Sequence, residues 1–255
     1  MIIGLRAGHS PNCKGAIGIV DEHEQMKIYF TYVKKLFEQY GHTVIDCNSN
    51  AYSENVELSE GAKKCNDAGC DLFISLHMNS FNGQAYGYEA LVSSTGSNAY
   101  PYAVNLANNF ASLGFFNRGV KFAHDFEMNH IKCGNIINEI CFCDCPDDIK
   151  IYNKYSWDEL AHTLCNAIDS NIPRTPKKRK CFIQTNYLLQ AYDGYKGVNV
   201  SEINRIKDEY FAGINTYVVP NDKGIWIETQ YLSENQCEEL KNKLGDLFYA
   251  IKYEE

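Results

Sequence analysis

"DLFISLHMNS" (Asp71–Ser80) carries an apolar run of Leu72, Phe73, Ile74 and Leu76, interrupted only by Ser75. Gly69 and Asp71 before it, and Asn79 and Ser80 after it, are turn residues. A short run of this kind suits a strand covered on both faces, as in a parallel sheet with helices on either side. His77 then falls at the carboxyl end of the strand, where open α/β sheets place their ligands. A lone histidine is as readily a hydrogen-bonded neighbour of a loop. Its meaning depends on whether other ligands converge on the same edge.

Working outward, Met1–Leu5 reads as a first strand ending in "RAGHS", and Glu22–Gln39 as a helix stopped by Gly41. "HTVIDC" (His42–Cys47) is the next strand, and "SEGAKKCNDAG" (Ser59–Gly69) a short helix leading into the run above. "GYEALVSS" (Gly87–Ser94) and "NIINEICFC" (Asn135–Cys143) are further strands. Helical spacing appears at Val104, Ala107, Phe110, Ala111 and Leu113, and "YSWDELAHTLCNAI" (Tyr155–Ile168) closes the series with a helix. Strands alternating with helices predict an α/β sandwich, a mostly parallel sheet between helical layers.

"NIPRTPKKRK" (Asn171–Lys180), with two prolines and a basic run, interrupts this pattern and reads as a linker. The division expected is therefore residues 1–172, a linker at 173–180, and a second unit at 181–255. In that unit "CFIQTNYLL", "SEINRIKDEYF", a hairpin turning at Asn221-Asp222-Lys223-Gly224, a helix opened by Ser233 and Gln236 as a capping box, and "YAIKYE" follow in order. The order βαββαβ is that of a small α+β, ferredoxin-like module.

At 255 residues with 45% hydrophobic content, the chain has ample material for a core. A net charge of −8 argues against a broad grip on nucleic acid or anionic membrane. No stretch approaches the ~20 apolar residues of a membrane span, so no membrane insertion is expected. "MIIGLRAGHS" has neither the basic lead nor the apolar region of a secretory signal, which predicts a cytoplasmic location at first. The 11 scattered cysteines read as buried small hydrophobes rather than a disulfide framework. That reading includes the alternating Cys141, Cys143 and Cys145, with Cys133 nearby, whose spacing is not that of a zinc ribbon or an iron–sulfur site.

His9 follows the first strand as His77 follows the later one. Two histidines at one sheet edge can share a metal, and zinc commonly takes two histidines and a carboxylate. Glu22 and Glu24 are the candidate carboxylates. Glu22 lies in register with Met26, Phe30, Val33 and Phe37, the inward stripe of its helix, whereas Glu24 lines up with Lys27, Thr31, Lys35 and Glu38. Glu22 is the better ligand on that ground, and its neighbour His23 is a lesser alternative. Glu139 interrupts an apolar strand, and a buried carboxylate needs either a cationic partner or a role at a site.

In order, "IIGLRAGHS", "GAIGIVDEHEQMKIY", "FISLHMNS" and "IINEICFCD" resemble zinc-dependent N-acetylmuramoyl-L-alanine amidases of the amidase-3 type, with clostridial phage endolysins the nearest likeness. The resemblance covers residues 1–172. It implies His9, Glu22 and His77 as ligands of Zn2+ and Glu139 as the catalytic glutamate. It also implies a peptidoglycan hydrolase that cleaves the amide between N-acetylmuramic acid and L-Ala, reaching the cell wall from the cytoplasm at lysis. A mother-cell autolysin with the same chemistry and a non-catalytic wall-binding protein are the rivals. Arg6-Ala7 and Met26 depart from the family's usual pattern, but they flank the ligands and do not replace them. Asn79 and His130 are candidate substrate or oxyanion contacts.

The second unit loosely resembles sporulation-related peptidoglycan-binding repeats over "GIWIETQYLSENQCEELKNKLGD". This implies a wall-binding role, with Trp226, Tyr231 and Tyr187 as candidate sugar-stacking residues. Assembly into a homo-oligomer is the rival role for the unit.

Overall fold

The computed structural model describes residues 1–176, 180–188 and 200–254. The chain divides into two compact units, Met1–Pro176 and Lys177–Glu255. Leu189 and the residues Lys177, Lys178 and Arg179 of the expected linker lie outside the described residues.

In the first unit β1 (Ile2–Arg6), α1 (Glu22–Gln39), β2 (Thr43–Asp46), α2 (Glu54–Ala68) and β3 (Leu72–Asn79) alternate. They are followed by β4 (Tyr88–Val92), α3 (Tyr100–Ala111), β5 (Asn117–Phe122), α4 (Phe126–His130), β6 (Gly134–Phe142), α5 (Pro146–Tyr152) and α6 (Trp157–Ile168). The strands form one sheet in the order β2-β1-β3-β6-β4-β5, parallel except where β4 runs against β6. This is the expected fold class. From β1 the chain steps outward to β2 and then returns to β3 on the other side. β1 and β3 therefore flank a topological switch point, the crevice where such sheets hold ligands.

Alternation along β3 explains why the sheet is covered on both sides. Leu72, Ile74, Leu76 and Met78 enter one core with α1, α3 and α6, while Phe73 enters the other with residues of and around α2. Helix α1 starts at Asp21, whose side chain accepts from the Glu24 amide, and buries Met26, Tyr29, Phe30, Val33, Leu36 and Phe37. Full burial of such side chains stabilises by about 1.5–3 kcal/mol each. Among the described residues no helix is long and apolar enough to cross a membrane.

Several local expectations need correction. Helix α2 begins at Glu54, five residues before the predicted Ser59, because Ser53 caps it by accepting from the Val56 amide. The buried stripe of α3 is Ala103, Leu106, Ala107 and Phe110, so Val104 and Ala111 sit at its margin. Strand β5 and the short helices α4 and α5 were not anticipated. β5 is a polar edge strand, and α4 and α5 have only 5 and 7 residues.

The second unit consists of β7 (Cys181–Thr185), α7 (Val200–Tyr210), β8 (Thr216–Asn221), β9 (Gly224–Thr229), α8 (Glu234–Leu244) and β10 (Phe248–Tyr253). Its antiparallel sheet has the order β10-β7-β9-β8, the ferredoxin-like arrangement. The capping box of α8 is present, with Ser233 and Gln236 bonded reciprocally. Cys181, Ile183 and Ile227 face a core shared with Ile206 of α7 and with Cys237, Leu240 and Leu244 of α8.

Candidate metal centre

Beyond Arg6 the chain turns through Gly8, whose φ of 60° is strained for any residue with a side chain. A Cβ there would also lie 2.5 Å from the Leu76 carbonyl oxygen and 2.9 Å from His77 Cε1. The glycine thus lets the Gly8-His9 turn press against the end of β3. Glu22 opens α1 and is buried, with Oε2 accepting from the Ala16 amide at 2.8 Å and Oε1 from the Met78 amide at 3.0 Å. The same two oxygens reach the histidines. Oε1 lies 3.0 Å from His77 Nδ1, and Oε2 lies 3.3 Å from His9 Nε2. The two rings meet edge to face with centroids 5.0 Å apart. One ligand atom from each of the three residues lies within 4.8 Å of the others.

Gly15 completes the cradle. A Cβ there would fall 2.2 Å from Glu22 Oε2 and 2.2 Å from His9 Cδ2, so only glycine leaves the space between the loop and the donors open. Ser75 Oγ sits 2.9 Å from His77 Nε2 and so turns Nδ1 toward Glu22. Such outer partners fix ring orientation in metal sites.

Burial works to raise the Glu22 pKa. Hydrogen bonds with His77 and then His9 outweigh it and hold the carboxyl well below the usual carboxylate range. For His77 burial works to lower the value, while the hydrogen bond to Glu22 and the charge of Glu139 carry it above the ordinary imidazole range. Two nitrogens and an ionised carboxylate around a glycine-opened cradle are a donor set that fits a divalent metal of the zinc type.

Glu139 stands beside this group. In the sheet register it is paired with His77 on β3 and with Glu89 on β4, so the three side chains share a face. Its Oε2 is shut from solvent and has no hydrogen-bond partner among the described residues. Burial pushes its pKa up to about 7; His77 opposes this and the charges of Glu22 and Glu89 add to it. A carboxyl at that value can exchange a proton near neutral pH.

Other expected residues take different places. Asn79 donates to Glu89 Oε1 at 2.8 Å, and Arg118 Nε holds the other Glu89 oxygen at 2.6 Å. Sequence reasoning passed over both Glu89 and Arg118: Arg118 lies on β5, which carries little apolar signal, and Glu89 lies on the expected strand β4, where nothing local marks its partners. His130 bonds the Phe126 carbonyl of its own short helix and stacks on the Phe126 ring. His23 is buried, and neither ring nitrogen has a partner among the described residues. It stays outside the ligand group, as do Cys141, Cys143 and Cys145, which are buried and free.

Fold and site together define a three-layer α/β protein with a His–Glu–His ligand cluster at its switch point. The family profile for N-acetylmuramoyl-L-alanine amidases of the amidase-3 type matches residues 3–170, and the chain belongs to that family. An uncharacterised protein of Clostridium perfringens (strain 13 / Type A) is 32% identical over 176 residues, covering 66% of this chain and 52% of that protein. The chain thus spans about half the length of this curated relative. Among solved structures, the catalytic domain of CD27L endolysin targeting Clostridia difficile superposes with a TM-score of 0.62 at 29% identity, covering 68% of this chain and 98% of that domain. The catalytic domain of CwlV, an N-acetylmuramoyl-L-alanine amidase from Bacillus (Paenibacillus) polymyxa var. colistinus, shares the fold with a TM-score of 0.59 at 18% identity, covering 67% and 97% of the two chains.

Proposed function

We propose that this chain is a zinc-dependent peptidoglycan hydrolase that cuts the amide bond between N-acetylmuramic acid and the L-Ala of the stem peptide, and that it serves as a phage endolysin. The observation that carries this reading is the convergence of His9, Glu22 and His77 beside a Glu139 oxygen that has no hydrogen-bond partner among the described residues. His9, Glu22 and His77 would hold the ion. Bound zinc supplies Lewis acidity, which polarises a carbonyl and acidifies water. Glu139, whose pKa burial raises in the metal-free chain, takes the proton of the attacking water and returns it to the leaving amine. Asn79 and Arg118 hold Glu89, whose charge helps keep that pKa high. Host lysis fits the likeness to an endolysin catalytic domain. In that role the enzyme waits in the cytoplasm and meets the wall once the membrane is breached. The second unit retains it there, which raises its concentration at an insoluble substrate.

The test pairs zinc content with clearing of purified clostridial walls, for the parent and for Glu139→Ala. One zinc in both proteins, with clearing reduced about 10²–10⁴-fold in the variant alone, is the expected result. A metal-free parent, or undiminished clearing by the variant, overturns the reading.

A further inference from the structure

The sheet face that carries His77 and Glu139 continues onto β4 and β5. Tyr88, Ala90 and Val92 of β4 enter the core shared with α3, and Val120 of β5 packs against it. Alternation therefore sends Glu89 and Leu91 to the opposite face, where Glu89 pairs with Glu139. Leu91 lies between Ile137 of β6 on one side and Lys121 of β5 on the other. Leu91 is half-buried, and neither it nor Ile137 belongs to a core cluster of this unit.

A bulge sets the charges of this face. The pairing of β4 with β5 slips between Tyr88 and Ala90, so that Arg118 and Gly119 together oppose Glu89. Gly119 supplies the φ of 79° that the bulge requires. Arg118 is thereby aimed at Glu89, with Nε 2.6 Å from Oε2, while Nη1 reaches the Tyr86 carbonyl at 3.4 Å. Its guanidinium lies 5.0 Å above the Phe142 ring. Nη2 makes no hydrogen bond among the described residues, and 33% of the side chain is exposed. Lys121 is exposed and forms neither a hydrogen bond nor an ion pair among the described residues.

Glu89 offsets the charge of Arg118 but leaves part of its fork free, and Lys121 has no counter-charge. Two cations thus share a face with Glu139 in a chain whose net charge is −8. Neighbouring strands lie about 4.8 Å apart, so β5 stands about 10 Å from β6. An extended peptide advances about 3.3–3.6 Å per residue. A peptide leaving Glu139 across β4 therefore brings its second or third residue over Arg118 and Lys121. On the peptide side of the proposed scissile amide the substrate carries free carboxylates, whereas its sugar side is neutral. We infer that Arg118 and Lys121 form a carboxylate-binding ledge that holds the stem peptide just beyond L-Ala and makes the site prefer free carboxylates there to carboxamides. Arg118 supplies the directional hydrogen bonds and Lys121 a point charge. The inference rests on the reading of the chain as a muramyl-peptide amidase.

The test uses the full chain with Glu139→Gln, in the presence of zinc, so that peptide binds and is not cut. The probes are N-acetylmuramyl-L-Ala-D-Glu and the same dipeptide with both free carboxyl groups of its D-Glu converted to carboxamides. Calorimetry is expected to show the acid form bound about tenfold more tightly, the scale of one charge-assisted hydrogen bond. The preference is expected to shrink in 1 M salt, because the ledge is open to solvent. Lys121→Glu and Arg118→Gln, each added to Glu139→Gln, are expected to reduce it, and Lys121→Arg to keep it. Lys121 has no partner to lose, so its variants do not threaten the fold. Equal binding of the two probes, or a preference that survives both Lys121→Glu and Arg118→Gln, overturns the inference. Hydrolysis of the acid probe is measured separately with Glu139 intact. No cleavage there, with the binding preference present, would count against the amidase reading and leave the ledge standing.

Discussion

Two groups of metal-ligand residue types gather on the first sheet, and their surroundings separate them. At the ends of β1 and β3, His9, Glu22 and His77 meet around space that Gly8 and Gly15 keep open, with an ionised carboxyl at the centre. Around α2, four thiols collect instead: Cys47, Cys65 and Cys70 share an apolar cluster with Ala62, Phe73 and Ile131, and Cys133 packs against it. Cys65 Sγ lies 3.8 Å from Cys133 Sγ. Hydrogen bonds with Cys133 and Cys47, together with burial, push the Cys65 thiol far up, and burial pushes Cys70 up. A thiol must ionise before it binds a metal, and Cys65 and Cys70 are held neutral, while hydrogen bonds with Cys65 lower Cys47 and Cys133. Among the described residues only the His–Glu–His group brings three ligand atoms within reach of one ion. Proximity of suitable residue types is therefore not enough. A site also needs charge and a space that backbone geometry has reserved for the ion.

The reserved space is the sharper half of that contrast, and Gly15→Ala attacks it directly. The added methyl would overlap both Glu22 Oε2 and His9, so the donors must move apart. Metal affinity is expected to fall at least about 100-fold, the upper range for changes just outside the ligands. Competition with a chelator reads the affinity, and unchanged circular dichroism shows the fold intact. Parent-like affinity would mean that the cradle is not what distinguishes the two groups.

Charge is the other half, and Glu139 tests it in the metal-free protein. Its folded pKa, about 7, lies above the ordinary carboxyl value of 4.5. Stability present when it is protonated, below that ordinary value, is thus lost as pH rises through 7. Glu139→Gln stays neutral, so it is expected to be more stable than the parent at pH 8, by at most roughly 3 kcal/mol, and to match it near pH 4. Melting curves of chelator-treated protein at the two pH values measure the difference. A variant less stable than the parent at pH 8 would show that a cation compensates Glu139.

Much of this contrast is legible from residue pattern. The inward stripe through Met26, Phe30, Val33 and Phe37 distinguishes Glu22 from Glu24, and in the structure Glu22 is buried while Glu24 is exposed. The limits of α1 follow from its apolar spacing and from the turn at Gly41. Less legible is whatever depends on partners distant in sequence. Nothing local marks Gly15 as special, because its constraint comes from side chains that only the fold brings near. Arg118 escapes notice because edge strand β5 has no alternating apolar face, and Glu89, on the expected strand β4, because its partners Asn79 and Arg118 come from other strands. The gathering of thiols around α2 is hidden too, since Cys47, Cys65, Cys70 and Cys133 come from four separate segments.

If the thiols are packing and not ligands, their removal costs volume alone. Cys65 is the hub of the group, 1% exposed, and its Sγ would lie 3.0 Å from a Cβ placed on Gly4 of β1. Cys65→Ala removes one sulfur from a well-packed cluster and leaves a void smaller than that of a leucine truncation. The expected loss is about 1 kcal/mol, below the 2–5 kcal/mol of larger core deletions. For a unit of this size that lowers the melting temperature by about 2–4 °C. Zinc content and wall clearing are expected to stay at the parent's level, because His9, Glu22 and His77 are untouched. A fall in bound metal on Cys65→Ala would instead make the thiols a second centre, and the convergence of donors would no longer separate the two groups.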